Sequence, residues 1–217
     1  MDADFITGLI LRLPVILFSL TVHEFMHAWA AWKCGDDTAR RAGRLTLNPL
    51  AHLDLLGTIC LIVGPIGWAK PVPVDRSNFR YETARRDDIL VSGAGVAANF
   101  VLGIVFALVL RFFGGAILAI DQVGPILYEM VFVGGLINFG LAIFNLLPIP
   151  PLDGSHILQN LLPLNAAIRF QELRSYGAIV LLVFVLGNRY LSAAVGFSIL
   201  GYPVYTLMGL FGGSQVI

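Results

Sequence analysis

Long apolar segments alternate with short polar stretches along most of this chain. The apolar segments cover about residues 5–32, 53–69, 89–113, 123–147 and 176–212, with a shorter apolar run at about 152–162. All the long segments except 53–69 reach the ~20 residues that a helix needs to cross a bilayer. The pattern therefore predicts several membrane helices instead of one soluble core. The last segment is predicted to form a hairpin that turns near Gly187, Asn188 and Arg189.

The segment 53–69 is shorter than the others and contains helix-breaking residues. These are Gly57, Gly64, Pro65 and Gly67. Basic residues follow both this segment and the first one, at Lys33, Arg40, Arg41, Arg44, Lys70, Arg76, Arg80, Arg85 and Arg86. The loop at 114–121 contains no basic residue. Because basic loops prefer the cytoplasm, this distribution favours a re-entrant segment at 53–69 over a full crossing.

Composition agrees with a membrane protein. Hydrophobic residues make up 57% of the chain and charged residues only 13%, about half the usual charged fraction. The formal net charge is zero, which gives no indication of a nucleic-acid partner. We predict an all-α polytopic membrane protein, a single integral-membrane domain over residues 1–217. It would be a bundle of about five to six transmembrane or re-entrant helices with a small membrane-surface β-sheet.

The predicted sheet rests on the stretches 42–49 and 68–75, which flank the second apolar segment. Pro71 and Pro73 exclude a regular helix from the second stretch, so both stretches suit short extended strands. If they pair, the free edge of the sheet would accept an extended substrate.

Metal-binding residues occur inside the first apolar segment. His23 and His27 are four residues apart, so on a helix both imidazoles lie on one face and reach one metal ion. Glu24 lies beside them, where a carboxylate can take a proton from water. Because such side chains are costly inside a membrane, the cluster predicts a functional site. A catalytic zinc site has three protein ligands, so a third His, Asp or Glu is expected elsewhere.

Asp153 is the leading candidate for the third ligand. It follows a proline-rich stretch at 148–151, after the fourth long segment. That segment is predicted to descend towards the face at which the first segment ends, so Asp153 meets His23 and His27 at similar depth. The alternative is that Asp153 caps the N-terminus of a helix at 156–162.

With these residues identified, the chain resembles the site-2 protease family of intramembrane zinc metalloproteases. The resemblance covers nearly the whole length and rests on His23, Glu24 and His27, the run Arg44–Asp54 followed by Gly57, and the run Asn145–Gly154. It implies that Asp153 is the third zinc ligand and Glu24 the catalytic base. It also implies that the substrate is a membrane protein cut within or beside its transmembrane helix.

Two asparagines are further candidates for the site. Asn99 ends the run Ala94–Asn99, in which Val96 stands where the family usually has proline. Asn99 is either a donor to the substrate backbone or oxyanion, or an interhelical hydrogen-bonding residue. Asn145 is either a polar contact to the substrate or a brace for the proline turn.

The other two histidines are not expected to bind metal. For His52, a structural or metal-supporting role is preferred over ligation. His156 lies three residues after Asp153, so it shares a helix face with that residue and would orient it or meet the substrate.

The predicted function is that of an intramembrane zinc metalloprotease with one Zn²⁺ per chain, hydrolysing peptide bonds in or near transmembrane segments. The alternative is a zinc-binding membrane protein without protease activity, either an inactive homologue or a metal transporter. The expected partners are a single-span membrane-protein substrate and the lipid bilayer. The expected location is the bacterial or archaeal cell membrane, with the active site opening towards the cytoplasm. The chain resembles the compact form of the family without PDZ or CBS domains, so regulation is expected from the substrate, an unknown partner or prior cleavage.

Overall fold

The computed structural model describes residues 3–63 and 67–213 of the chain. Nine α-helices occur within these residues. They are α1 (Ala3–Lys33), α2 (Thr38–Arg41), α3 (Leu55–Val63), α4 (Ala84–Leu118), α5 (Gly124–Leu146), α6 (Asp153–Leu161), α7 (Leu164–Glu172), α8 (Gly177–Val195) and α9 (Gly201–Gly212). Short 3-10 turns lie at Pro49–His52, Arg76–Asn78 and Leu173–Tyr176, the last of which joins α7 to α8.

Three helical stretches are long and apolar enough to cross a membrane. They are α4, α5 and the combined stretch Leu164–Val195. Helix α1 has 31 residues and is therefore about 46 Å long. The first, third and fourth predicted segments thus coincide with α1, α4 and α5. The expectation of an all-helical protein with membrane-length helices is confirmed.

The segment predicted at 53–69 contains only the short helix α3 in its described part. Its nine residues span about 14 Å, which is less than half of the hydrocarbon thickness. The two ends of the segment meet, because Leu53 and Ala69 form an antiparallel bridge. Beside this bridge, the N–H of Lys70 donates to the carbonyl of His52 at 2.8 Å. This return favours a re-entrant segment; Gly64 and Pro65 lie outside the described residues.

The predicted membrane-surface β-sheet is wrong. Within the described residues, the stretches 42–49 and 68–75 make no strand, and the bridge just described is isolated. The guanidinium of Arg44 takes the carbonyls that a neighbouring strand would need, donating to Lys70 at 2.6 Å and Pro71 at 3.3 Å. Proline also removes two N–H groups from the second stretch. Side-chain hydrogen bonds from Arg44 therefore occur where backbone hydrogen bonds between two strands were predicted.

The predicted turn near residues 187–189 is also wrong. Helix α8 continues to Val195, and Gly196 ends it with a left-handed φ of 69°, which glycine adopts without strain. Asn188 nevertheless holds this turn from within α8. Its side-chain oxygen Oδ1 accepts hydrogen bonds from the N–H of Ile199 at 2.7 Å and from the N–H of Leu200 at 3.3 Å.

Helices α1, α4 and α5 form the centre of the molecule, and α6 and α9 pack against it. Much of the apolar core lies between α4, α5 and α9, where Leu110, Phe139 and Met208 are fully buried. Gly103 allows α4 to approach α5, because a Cβ there would be 2.6 Å from the Phe139 ring. Small residues commonly permit such close approach in membrane helices. The arrangement brings the C-terminal half of α1 against α4 and the start of α6.

Candidate active site

Three side chains predicted as metal ligands converge at the centre of the helices. The Nε2 atoms of His23 and His27 lie 2.9 Å apart, and each lies 3.3 Å from Oδ2 of Asp153. Both histidines are buried and Asp153 is nearly so. Asp153 is thus brought together with two histidines that lie at least 126 residues earlier in the chain.

The hydrogen-bonding pattern leaves three lone pairs facing one another. The Nδ1 of His27 lies 2.7 Å from the carbonyl oxygen of Val91, which only accepts, so Nδ1 carries a proton and the neutral ring has its lone pair on Nε2. The Nδ1 of His23 lies 2.6 Å from Oδ1 of Asn99. The Oδ2 of Asp153 is buried and accepts no hydrogen bond from the described residues. With both rings neutral, three buried acceptors face one another, an arrangement that a bound cation would satisfy.

The donor set and spacing fit zinc. Two ligands about 2.1 Å from a tetrahedral Zn²⁺ lie about 3.4 Å apart, close to the observed 2.9–3.3 Å. Two histidines and one carboxylate also leave the fourth position of a catalytic zinc site open. This His-His-Asp cluster is the metal-binding group found among the described residues.

Glycine on α4 makes room for the two imidazoles. A Cβ at Gly95 would lie 2.5 Å from Nε2 of His27 and 2.8 Å from Cε1 of His23. Both distances are shorter than any ordinary contact, so a larger residue must push the ligands aside. Glycine here is a packing requirement of the metal site.

Asp153 is positioned by the close approach of α6 to the end of α5. It is the first residue of α6, and Leu152 occupies the N-cap position. The capping role considered from sequence is therefore not the arrangement found. A Cβ at Gly154 would lie 2.1 Å from the carbonyl oxygen of Leu146, so glycine is needed for α6 to begin this close to α5.

Glu24 lies one residue after His23 on α1 and is half-buried. Its Oε2 accepts a hydrogen bond from the N–H of Val72 at 2.9 Å. Its Oε1 makes no hydrogen bond within the described part of the chain. One oxygen is thus anchored to the loop after α3, and the other remains available for a proton.

The two asparagines have different surroundings. Asn99 is fully buried and bonds to His23, with its amide nitrogen 3.2 Å from the carbonyl oxygen of Ser19. Asn145 is only half-buried, and its amide donates to the carbonyl of Leu141 one turn earlier in α5. The substrate-binding role considered for each residue stays a prediction.

The remaining histidines lie outside the metal cluster. His52 is buried, and its Nε2 lies 2.9 Å from the carbonyl oxygen of Thr46, a structural contact within its own loop. His156 lies 2.7 Å from a guanidinium nitrogen of Arg76 and 2.9 Å from one of Arg174. Burial and these two positive charges lower the pKa of His156 to about 4, so its ring is neutral at physiological pH.

Several residues of the site were not anticipated. Gly95 lies within the run Ala94–Asn99, but close packing against imidazoles cannot be inferred from a glycine alone. The contact of Val72 with Glu24 involves only a backbone N–H, which leaves no trace in the residue type. Asn138 on α5, whose Oδ1 accepts from the Asn99 amide at 2.8 Å, did offer a signal, because an amide in an otherwise apolar membrane segment is costly without a partner.

An all-helical chain with membrane-length helices, a buried His-His-Asp metal site and an adjacent glutamate has the features of a membrane-embedded zinc metallopeptidase. Comparison with known families agrees. The model of the family described as "Peptidase family M50" matches residues 12–128 and 116–187 of this chain. The chain therefore belongs to peptidase family M50, the site-2 protease family. The zinc cofactor and the metalloprotease class predicted from the sequence are confirmed.

Curated relatives carry matching names. The "Putative zinc metalloprotease YwhC" of Bacillus subtilis (strain 168) is 43% identical over 171 residues, covering 77% of this chain and 76% of that protein. The "Putative zinc metalloprotease Rip2" of Mycolicibacterium smegmatis is 32% identical over 173 residues, or 78% of this chain and 64% of that protein. Rip2 of Mycobacterium tuberculosis (H37Rv) is 31% identical over 175 residues, with the same shares. No solved structure matches this chain significantly.

Proposed function

We propose that this zinc metalloprotease cuts single-span membrane proteins within or beside the transmembrane helix. We further propose that it does so in the bacterial or archaeal cell membrane, from a site opening towards the cytoplasm. The observation that carries the proposal is that two of the three metal ligands, His23 and His27, lie inside the membrane-length helix α1. His23 and His27 precede the end of α1 at Lys33 by ten and six residues, which is about 15 and 9 Å along the helix. A peptide bond at that depth belongs to a membrane segment.

The roles of the ligands follow from their hydrogen bonds. His23, His27 and Asp153 would hold Zn²⁺, which supplies Lewis-acid chemistry by lowering the pKa of water and polarising a carbonyl. Glu24 takes the proton of the attacking water on Oε1 and returns it to the leaving amine. The N–H of Val72 holds the other oxygen of Glu24 and so fixes the direction of the carboxylate.

Access for water and for an extended substrate is the second requirement. A transmembrane helix hides its own peptide bonds in hydrogen bonds, so the substrate must unwind locally before cleavage. The loop that carries Val72 lies against Glu24 and follows the re-entrant segment. We propose that this loop borders the path by which substrate reaches the metal, because it is the part of the polar surface in direct contact with the base.

Cleavage by Glu24→Gln tests the protease proposal. The wild type, Glu24→Gln and the control Glu129→Gln, an exposed position on α5, are purified and given a panel of single-span substrates. We expect Glu24→Gln to retain bound zinc and the Val72 contact while losing about 10²- to 10⁴-fold in cleavage rate, because only the proton acceptor is lost. Undiminished cleavage by Glu24→Gln would exclude it as the base. Zinc binding by the wild type without any cleavage would favour the non-proteolytic alternative.

The membrane arrangement is a separate proposal, with about five to six transmembrane or re-entrant segments. We propose that α3 re-enters and leaves both flanking loops in the cytoplasm. Single cysteines at Leu50 and Tyr81, both strongly exposed, are introduced in a chain lacking Cys34 and Cys60. We expect an impermeant thiol reagent to label both positions only after the cytoplasmic face is opened. Labelling from opposite faces would show that the segment crosses.

A further inference from the structure

Behind His23 lies a network of three fully buried polar side chains. Ser19, Asn99 and Asn138 are each 0% exposed and come from α1, α4 and α5 respectively. The amide of Asn99 lies 2.8 Å from Oδ1 of Asn138. The amide of Asn138 donates to Oγ of Ser19 at 2.8 Å and to the carbonyl of Gly134 at 2.9 Å. The site residues predicted from the sequence include Asn99 but neither Asn138 nor Ser19.

The direction of every hydrogen bond in this network is determined by backbone carbonyls. The carbonyl of Gly134 only accepts, so the nitrogen of the Asn138 side chain must face it and Oδ1 must face Asn99. Ser19 agrees, because its hydroxyl donates to the carbonyl of Val15 at 2.8 Å and is left to accept from Asn138. Reversing the Asn138 amide would place its oxygen against the carbonyl oxygen of Gly134 at a fully buried position.

The same reasoning continues to the metal ligand. With Oδ1 of Asn138 as acceptor, the nitrogen of Asn99 must face it, and that nitrogen also donates to the carbonyl of Ser19 at 3.2 Å. The oxygen of Asn99 therefore faces Nδ1 of His23. An oxygen there requires the proton on Nδ1, which leaves the Nε2 lone pair for the metal.

We propose that Asn138 is a positioning residue that fixes the tautomer and orientation of His23 through Asn99. The two histidines differ in this respect. His27 donates directly to a backbone carbonyl, that of Val91, whereas His23 depends on a chain of side chains that begins on a third helix. Partners behind metal-bound histidines are known to raise ligand basicity and fix ring orientation. The proposal concerns metal binding and does not depend on which substrate is cut.

Zinc affinity of the purified full-length protein in detergent tests the proposal. The variants are Asn138→Leu, Asn99→Leu, the double variant, and the control Phe139→Leu at the adjacent buried position of α5. We expect Asn138→Leu to weaken zinc binding about 10-fold or more, because the Asn99 amide loses its shorter anchor and is held only by the 3.2 Å contact with the Ser19 carbonyl. Phe139→Leu is expected to lower the unfolding temperature while zinc affinity stays at the wild-type value.

The double variant distinguishes a relay from independent packing effects. If Asn138 acts through Asn99, the double variant binds zinc as weakly as Asn99→Leu alone, because the second loss has nothing left to act on. If the double variant instead lost zinc affinity by the product of the two single losses, the proposal that Asn138 acts through Asn99 would be overturned. Wild-type zinc affinity in Asn138→Leu would overturn it as well.

Two further readouts do not depend on enzyme activity. The visible absorption of the Co²⁺-substituted protein should change in Asn138→Leu and stay unchanged in Phe139→Leu. Only the first substitution alters the orientation of the ligand His23. If Asn138→Leu does not fold, Ser19→Ala decides the question: the Asn138 amide keeps the Gly134 carbonyl but loses one acceptor. We expect a smaller loss of zinc affinity in the same direction, and no loss at all would contradict the proposal.

Discussion

The centre that holds the predicted metal ligands and the helices α7 and α8 differ in how much of their surface is buried. Of the 18 most apolar consecutive residues in α4, 22% are buried within the protein, and in α5 the share is 28%. In Leu164–Val195, none of the 18 most apolar consecutive residues is buried. The centre contains the closed network of Ser19, Asn99 and Asn138. In a bilayer, a buried polar group must find its partner within the protein, whereas an outward-facing side chain needs only to be apolar. Sequence changes should therefore be tolerated very differently in the two regions.

The largest expected effect is at the closest contact of the centre. Gly95→Ala places a methyl group 2.5 Å from Nε2 of His27, so the ligands must move or α4 must shift. We expect zinc affinity to fall at least by the 10- to 100-fold typical of lost ligand-orienting residues.

Gly93→Ala is the matched control for this change. It lies two residues earlier in α4 and a Cβ there meets nothing within 4 Å. We expect its zinc affinity to remain at the wild-type value, as measured by competition with a chelating dye. Equal losses in the two variants would show that helix propensity, and not crowding of the ligands, is responsible.

A leucine pair tests the same comparison through packing. Leu110 is 1% exposed between α4, α5 and α9, whereas Leu182 on α8 is 52% exposed. We expect Leu110→Ala to reduce the free energy of unfolding by about 3 kcal/mol because it leaves a cavity. Leu182→Ala should change it by less than about 0.5 kcal/mol. Reversible unfolding in mixed micelles measures both, and a large loss at Leu182 would reveal a packed partner on α8.

The smallest expected effect concerns charge outside the membrane. Asp36, fully buried just after α1, accepts from Thr38, from the Asn78 amide and from the N–H of Asp75. Burial alone would raise the pKa of Asp36, but these hydrogen bonds outweigh it and lower the pKa below its ordinary value. The stabilisation is therefore present above the unfolded-state pKa of about 4 and is lost as pH falls through the lower folded-state pKa.

Asp36→Asn tests this linkage. We expect it to cost about 2 kcal/mol at neutral pH, where the charged acceptor is lost, and progressively less as the wild type itself becomes protonated at low pH. Asp121→Asn, at an exposed loop position, should show no such pH dependence. A cost of Asp36→Asn that did not change with pH would mean that the charge contributes nothing.

Residue type and spacing were sufficient to predict that His23, His27 and Asp153 lie together, and to predict much of the helical pattern. His23, His27 and Asp153 carry chemistry that few residues share, and the membrane excludes most accidental occurrences. The predicted strands failed because a pattern of prolines shows that a helix is absent but does not show what replaces it. Here a distant guanidinium, that of Arg44, took the free carbonyls. Tertiary contacts of this kind have no local signal.

The prediction of the turn between α8 and α9 failed for a related reason. Gly187 and Asn188 resemble a turn, yet Asn188 acts at a distance by bonding to backbone amides at the true turn eleven and twelve residues later. The network behind His23 was only partly foreseen, since Asn99 was considered and Asn138 was not. Polar residues in separate apolar segments can be recognised from sequence, but which of them pair depends on helix packing.

The bridge between Leu53 and Ala69 makes the intervening segment a side branch of the chain. Because its two ends are neighbours, lengthening or shortening the branch should leave α1, with His23 and His27, in register with α4, which packs against these ligands at Gly95. Insertions there should therefore be accepted more readily than elsewhere between the first two metal-site helices. We therefore expect an affinity tag or fluorescent reporter to be tolerated there without redesign of the catalytic centre.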